Sequence, residues 1–374
     1  MKQENNVPRF PKKLPGSFWG ITSFFNIASY KNKYEHYLKF RESSKKQGLK
    51  LLAVEIAFND KPFELKEGDA EILIQLRGNE KNMLWQRDVT LNIGLKNLPG
   101  DCDKFCWVDS DVIFKNDNWI RETSKLLEQY NVVQPFEWTK NLKKESYCLE
   151  DSEMGRLYGK AYEMANIDKI TPLPREGHTG ISWAFRREIF YKNKFYDKMV
   201  LSGEGDVLMA RAFYSDIRPE QFLSNYPDKA REDQNKWARR IYKQVRGSVF
   251  YCPGGVLHMW HGKVGNRFYY GRKDLLKTLD IDKDLRYDPQ GILEWSSDKR
   301  KLHYAVKKYY FMRNEDGKIL REIPILLNKI YYILFVMNHK ESFYLNFHRF
   351  LGWFGNKLKR ISPKAYGKLK NFFP

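Results

Sequence analysis

The sequence predicts an α/β fold, a mostly parallel sheet flanked by helices, on three observations. Strand-like runs of apolar and β-favouring residues alternate with segments of helical spacing. One run, residues 104–114, is apolar enough for a buried strand yet carries two carboxylates, Asp109 and Asp111. With 374 residues, the chain is long enough for one large domain with an appendage, at roughly 100 to 200 residues per domain.

Taken in order, residues 17–27 predict a first strand and 30–47 a polar, amphipathic helix. Residues 49–58 and 71–76 predict the next two strands. Trp85, Val89 and Ile93 fall at helical spacing, with Leu84, Leu91, Leu95 and Leu98 beside them, in a helix that stops at Pro99-Gly100. The strand with Asp109 and Asp111 follows. Trp119, Ile120, Thr123, Leu126, Leu127 and Tyr130 then line one face of a helix, and 131–136 form another strand. Residues 137–175 read as an irregular, charged surface excursion, and 177–185 as a return to the sheet. Residues 203–213 begin small and acidic and pass into a helix. Cys252-Pro253-Gly254-Gly255 interrupts apolar segments within 245–260. Neither an internal repeat nor a low-complexity linker is visible.

After about residue 275 the character changes, which divides the chain into a main domain, 1–275, and a basic, aromatic, helical C-terminal extension, 276–374. Residues 323–337 are apolar but broken by Pro324, Asn328 and Lys329, too short for a membrane span of roughly 20 residues. Residues 340–374 hold eight Lys or Arg against the single acid Glu341, interleaved with aromatic side chains. Such a tail suits an anionic membrane surface, or else a basic helix packed on the main domain.

The net charge of +20 favours polyanions: nucleotide phosphates, an anionic membrane surface or nucleic acid. Cys102, Cys106, Cys148 and Cys252 lack both a paired metal-ligand pattern and the density of a secreted disulfide scaffold. Residues 1–15 show no apolar signal segment. The expectation is a cytoplasmic protein, peripheral on the cytoplasmic face of a membrane if the tail binds there.

Two carboxylates at the end of a core strand need compensation, because burying either alone costs several kcal/mol. A divalent cation supplies it, and oxygen ligands beside phosphates favour Mg²⁺ or Mn²⁺. The plainer alternative is that one of the pair caps the following helix, beside Asp117 and Asn118. Further on, residues 177–183 offer a pocket lining, Gly203-Glu204-Gly205-Asp206 places two acids at a helix start, and His258 and His261 supply imidazoles. Asn266-Arg267 and Arg272 add cations.

In this order the pieces resemble the family-2-like glycosyltransferases of the GT-A fold, including the β-galactosyltransferase and polypeptide GalNAc-transferase branches. The resemblance rests on Trp85-Gln86-Arg87 with Asn92 and Gly94, on Val108-Asp109-Ser110-Asp111, and on residues 180–185, 203–206 and 258–261, across roughly residues 17–275. It implies a Rossmann-like mixed sheet and an Mn²⁺- or Mg²⁺-dependent transfer from a nucleotide-diphosphate sugar, UDP by preference, to a glycan or glycolipid hydroxyl. It further implies inversion, and a role in making a surface polysaccharide or lipid-linked oligosaccharide.

By the same resemblance Asp111 is the direct metal ligand, and Asp109 contacts the ribose or, through water, the metal. His258 and His261 are late metal or diphosphate contacts. Three residues apart on an ideal strand they would face opposite ways, so both serve only if the chain turns there. Asp206 is the first choice of general base and Glu204 the second, with a helix-capping Asp206 as the alternative. Gly205 between the two acids departs from the family pattern. Arg267, and after it Arg272 or Arg87, offers charge to the phosphates or is a surface cation. Trp183 either stacks on a sugar or is a core indole, and Val54 and Phe58, beside Glu55, suggest a second-strand site near the nucleotide base with no role assigned to Glu55 itself.

A metal-dependent nuclease or nucleotidyltransferase uses similar groups and is the rival class, with a non-catalytic membrane-surface protein as a third. No Walker loop or nucleic-acid module is recognisable, so nucleic acid is not an expected partner.

Overall fold

A computed structural model describes residues 7–144, 155–166, 177–201, 205–215, 226–267 and 276–318, together with 359, 360, 363 and 367. Four parallel strands form one side of the main sheet: β1 (Ser17–Phe25), β2 (Lys50–Phe58), β3 (Ile72–Gly78) and β4 (Cys102–Val108). Their spatial order is β3-β2-β1-β4, with α1 (Lys31–Lys46) joining β1 to β2 and α2 (Arg87–Asn97) preceding β4.

Side chains alternate across these strands. Ile21, Leu52, Val54, Phe105 and Trp107 join a core that includes Leu91 and Leu95 of α2. Phe24, Leu51, Ala53, Cys106 and Val108 face the other way, toward Tyr37 and Phe40 of α1. With both faces covered, each strand must be apolar on both, which is why the pattern reads as continuous runs. Gly94 lets α2 lie close on β1: a Cβ there would sit 2.6 Å from Ile21 Cγ2.

The run 104–114 is not one strand. β4 ends at Val108, and the chain crosses to β5 (Val112–Phe114) in a second sheet, so Asp109 and Asp111 lie on the link between two sheets. After α3 (Trp119–Leu127) and β6 (Val132–Gln134), residues 137–175 also depart from expectation, since they contain β7 (Trp138–Asn141), β8 (Arg156–Tyr158) and α4 (Lys160–Ala165). Strands of three or four residues are too short to show a period of two. Next come β9 (Ser182–Arg186), α5 (Arg187–Asn193), α6 (Gly205–Tyr214), α7 (Asp228–Val245), β10 (Val249–Tyr251) and β11 (Gly255–His258). The full sheet runs β10-β6-β9-β4-β1-β2-β3, with β9 antiparallel to both neighbours, and the smaller one β5-β11-β7-β8.

Residues 276–318, assigned by sequence to the extension, contribute the hairpin β12 (Leu285–Tyr287) and β13 (Leu293–Trp295) and the helix α8 (Arg300–Met312). They share one core with the main body, where Leu276, Ile292, Trp295 and Tyr310 pack with Phe25, Ile56, Leu84 and Val89. Apart from four isolated positions, the expected membrane-facing segment 340–374 lies outside the described residues. Among those described, no helix is long and apolar enough to cross a membrane.

Candidate active site

The connection from β1 leads to β2 on one side, whereas β3 leads across to β4 on the other. A crevice opens at such a reversal, at the carboxyl ends of the strands. Here it is a cavity of about 250 Å³, walled by residues 23–28 at the end of β1, by 107–111 at the end of β4, and by His178, Gly180, Asp206, His258, His261 and Arg267. Asp109, Asp111, Asp206, His258 and His261, singled out by sequence, therefore converge.

Strand pairing delivers the imidazoles to Asp111. β11 runs antiparallel to β5 with His258 opposite Val112, and the Met259 N–H donates to the Asp111 carbonyl at 2.8 Å. The chain then turns, which removes the parity conflict between the two histidines. Asp111 Oδ2 lies 3.6 Å from His258 Nε2 and 3.2 Å from His261 Nδ1. One ligand atom from each of these three residues falls within 4.8 Å of the others.

These donors fit a divalent ion. Two imidazoles and a carboxylate present three compact ligand atoms, and Asp109 lines the same cavity. Asn141 Oδ1, 2.9 Å from His258 Nδ1, holds that ring in place and leaves Nε2 toward Asp111, the outer support that ligating histidines commonly have. Burial holds His261 well below its usual proton affinity, so it is neutral, the form that ligates. Burial resists ionisation of Asp111, but the neighbouring His258 outweighs it and keeps this carboxyl far below the usual range. Burial, and next the Asp111 charge, push Asp109 up to about 7. The two carboxylates thus compete for charge, which a bound cation would relieve.

Asp206, in the first turn of α6, lines the same cavity. Its Oδ2 accepts from Thr179 Oγ1 at 3.2 Å, while its buried Oδ1 has no hydrogen-bond partner. Between Thr179 and β9, Ile181 takes φ +80°, rare for a β-branched residue, and the Ser182 N–H donates to the Gly180 carbonyl at 3.1 Å to close a three-residue turn. The strained turn presents the Ile181 carbonyl to the Asp109 N–H at 2.8 Å. It ties the helix-start acid to the strand-end acids.

Arg87 also lines the cavity, ion-paired with Asp88 at 2.9 Å and 4.8 Å from the Trp107 ring centroid. Trp183 does not reach it. Alternation along β9 turns this wholly buried indole toward Phe213, with its Nε1–H donated to the Thr179 carbonyl, so it is a core residue rather than a sugar platform. Glu55 accepts from the Glu64 and Leu65 N–H groups and from Gln75 Nε2, which makes it a brace for the segment between β2 and β3. Glu204 and Arg272 lie outside the described residues.

The structure adds wall residues to which the sequence reading gave no role: Lys33 and His36 from α1, Trp85 before α2, and Tyr310, Arg313 and Glu315. Lys33 and His36 sit three apart on one helical face, a spacing that marks which side they share but not what faces it.

No protein-family model and no curated protein matches this chain. Solved structures do. Staphylococcus aureus TarS residues 1–349 in complex with UDP-GlcNAc is 10% identical at TM-score 0.40, over 93% of this chain and 82% of that one. The catalytic domain of Drosophila β1,4-galactosyltransferase 7 in complex with xylobiose is 12% identical at TM-score 0.36, over 77% and 98%. The 4-diphosphocytidyl-2C-methyl-D-erythritol synthase of Anaerococcus prevotii is 12% identical at TM-score 0.32, over 64% and 89%. With identities and superposition scores this low, the chemistry below rests on the chain's own side chains.

Proposed function

We propose that this protein is a metal-dependent glycosyltransferase. It moves a sugar from a nucleotide-diphosphate donor, a UDP-sugar by preference, to a hydroxyl of a glycan or glycolipid, with inversion. The observation that carries this reading is the meeting of Asp109, Asp111, His258, His261 and Asp206 in one cavity at the carboxyl ends of β1 and β4.

Asp111, His258 and His261 would hold Mn²⁺ or Mg²⁺, with Asp109 behind them. When bound, the ion supplies electrostatic stabilisation of the negative charge that grows on the departing diphosphate. Arg267, on the same wall, adds positive charge. Asp206, with an oxygen that no protein donor occupies, takes the proton of the acceptor hydroxyl as that oxygen attacks the anomeric carbon.

Incubation of the purified protein with Mn²⁺ and a panel of UDP-, GDP- and CMP-sugars tests this reading through nucleotide release. Metal-dependent release from one donor supports it. No release from any donor, together with cleavage of DNA or RNA, would point instead to a nuclease. From the composition of residues 340–374 alone we also propose attachment to an anionic cytoplasmic membrane surface. Liposome flotation with and without residues 323–374 tests this, and equal flotation would exclude the tail as anchor.

A further inference from the structure

We infer that residues 310–318 form a strap closing one wall of the cavity, and that Arg313 on this strap binds the donor's diphosphate. The inference rests on the glycosyltransferase reading and adds a binding residue from a part of the chain that the sequence placed outside the catalytic domain.

The strap is clasped from two sides. Toward the start of α1, Tyr30 Oη donates to the Tyr310 carbonyl at 2.5 Å and accepts from the Asn314 N–H at 2.9 Å. The Asn32 amide donates to the Glu315 carbonyl at 2.7 Å. Toward the histidines, Gly262 packs so tightly that a Cβ there would lie 2.9 Å from the Arg313 carbonyl oxygen. Tyr30 lines the cavity and Gly262 follows His261, so the strap is fixed to the same two elements that frame the candidate metal site.

Arg313 and Glu315 both line that cavity. Glu315 Oε1 lies 2.7 Å from Arg313 Nε, a pair only 14% and 6% exposed, a charge contact that keeps the guanidinium at the wall without a hydrogen bond at Nε. The donor's pyrophosphate brings two negative charges. The ion that would balance them is shared with Asp111 and drawn on by Asp109, so a further cation on the cavity wall, beside Arg267, is needed. A guanidinium held there matches phosphate oxygens in geometry as well as charge.

The test is calorimetric binding of UDP and of UMP to the full chain in Mn²⁺. Wild-type protein should prefer UDP. Arg313→Gln should weaken UDP binding by about tenfold or more, the usual scale for a lost charge-assisted hydrogen bond, and leave UMP binding nearly unchanged. Unchanged UDP affinity, or equal loss for both nucleotides, would overturn the role of Arg313 and leave the glycosyltransferase reading standing. Wild-type protein that binds neither nucleotide would overturn the reading itself. If Arg313→Gln does not fold, Glu315→Gln carries the test, because it removes a competing negative charge and should raise the preference for UDP over UMP. An unchanged preference then overturns the inference.

Discussion

Asp111 Oδ2 stands 3.2 Å from His261 Nδ1, although the two residues belong to segments far apart in the chain. The contact is a by-product of β5 pairing with β11, since the pairing ends where His258 faces Val112 and both chains turn inward. A strand register therefore sets the donor geometry, which is more rigid than a loop would be.

Asp111→Asn removes the charge the two imidazoles surround. Turnover should fall by at least about 10²-fold, the scale for loss of a main electrostatic stabiliser, while the fold persists. Mn²⁺ titration and circular dichroism of the same sample check both parts. Chelation of wild-type protein should reproduce the loss, and added Mn²⁺ should reverse it.

Asp206→Asn keeps the shape and the Thr179 contact but cannot accept the acceptor proton. kcat should drop by about 10²- to 10⁴-fold with little change in donor binding. Steady-state kinetics beside UDP titration separate the two, and unchanged kcat would remove Asp206 from the reaction.

Asp88→Ala strands the buried Arg87 guanidinium, whose ion partner is only 7% exposed. Stability should fall by about 3 to 5 kcal/mol, the usual cost of breaking a buried pair from one side. Urea unfolding measures it, and a loss under 1 kcal/mol, the surface-pair scale, would contradict the burial argument.

Gly94→Ala forces a methyl group against Ile21 and Leu52. Overpacking of this kind costs about 1 to 3 kcal/mol, and thermal unfolding should show a lower midpoint.

His178 gives a pH dependence with a defined sign. Burial, and then the neighbouring His258, lower its pKa from 6.5 to about 4. Between those values the unfolded chain takes up a proton that the folded chain refuses, so stability falls as pH drops through that window and is insensitive to this group above it. His178→Gln should flatten that acid limb in urea titrations of the metal-free protein at pH 7 and pH 5. An unaltered slope would show that other groups cause it.

The first half of the sheet was legible because β1, β2 and β4 are long, buried on both faces and separated by a helix of clear period, as in the row Val89, Ile93 with Leu91 and Leu95. The acids and imidazoles were legible because each chemistry-bearing type interrupts an apolar run. Short strands such as β7 and β8 were not, since their partners lie far along the chain and three or four residues show no pattern. Nor was the side on which Trp183 lies, which depends on the register of β9 against β4. The wall role of Tyr310 and Arg313 stayed hidden for a similar reason: a change in composition after residue 275 says nothing of which surface the later segment covers.

The shared core of residues 276–318 bears on how the protein can be shortened. A fragment ending near residue 275 would strip the cover from Phe25, Ile56, Leu84 and Val89 and leave a greasy face open to water. Clumping of such a fragment would then reflect lost shielding, and its inactivity would carry no information about sugar transfer. Expression trials that trim the chain should keep everything through Lys318.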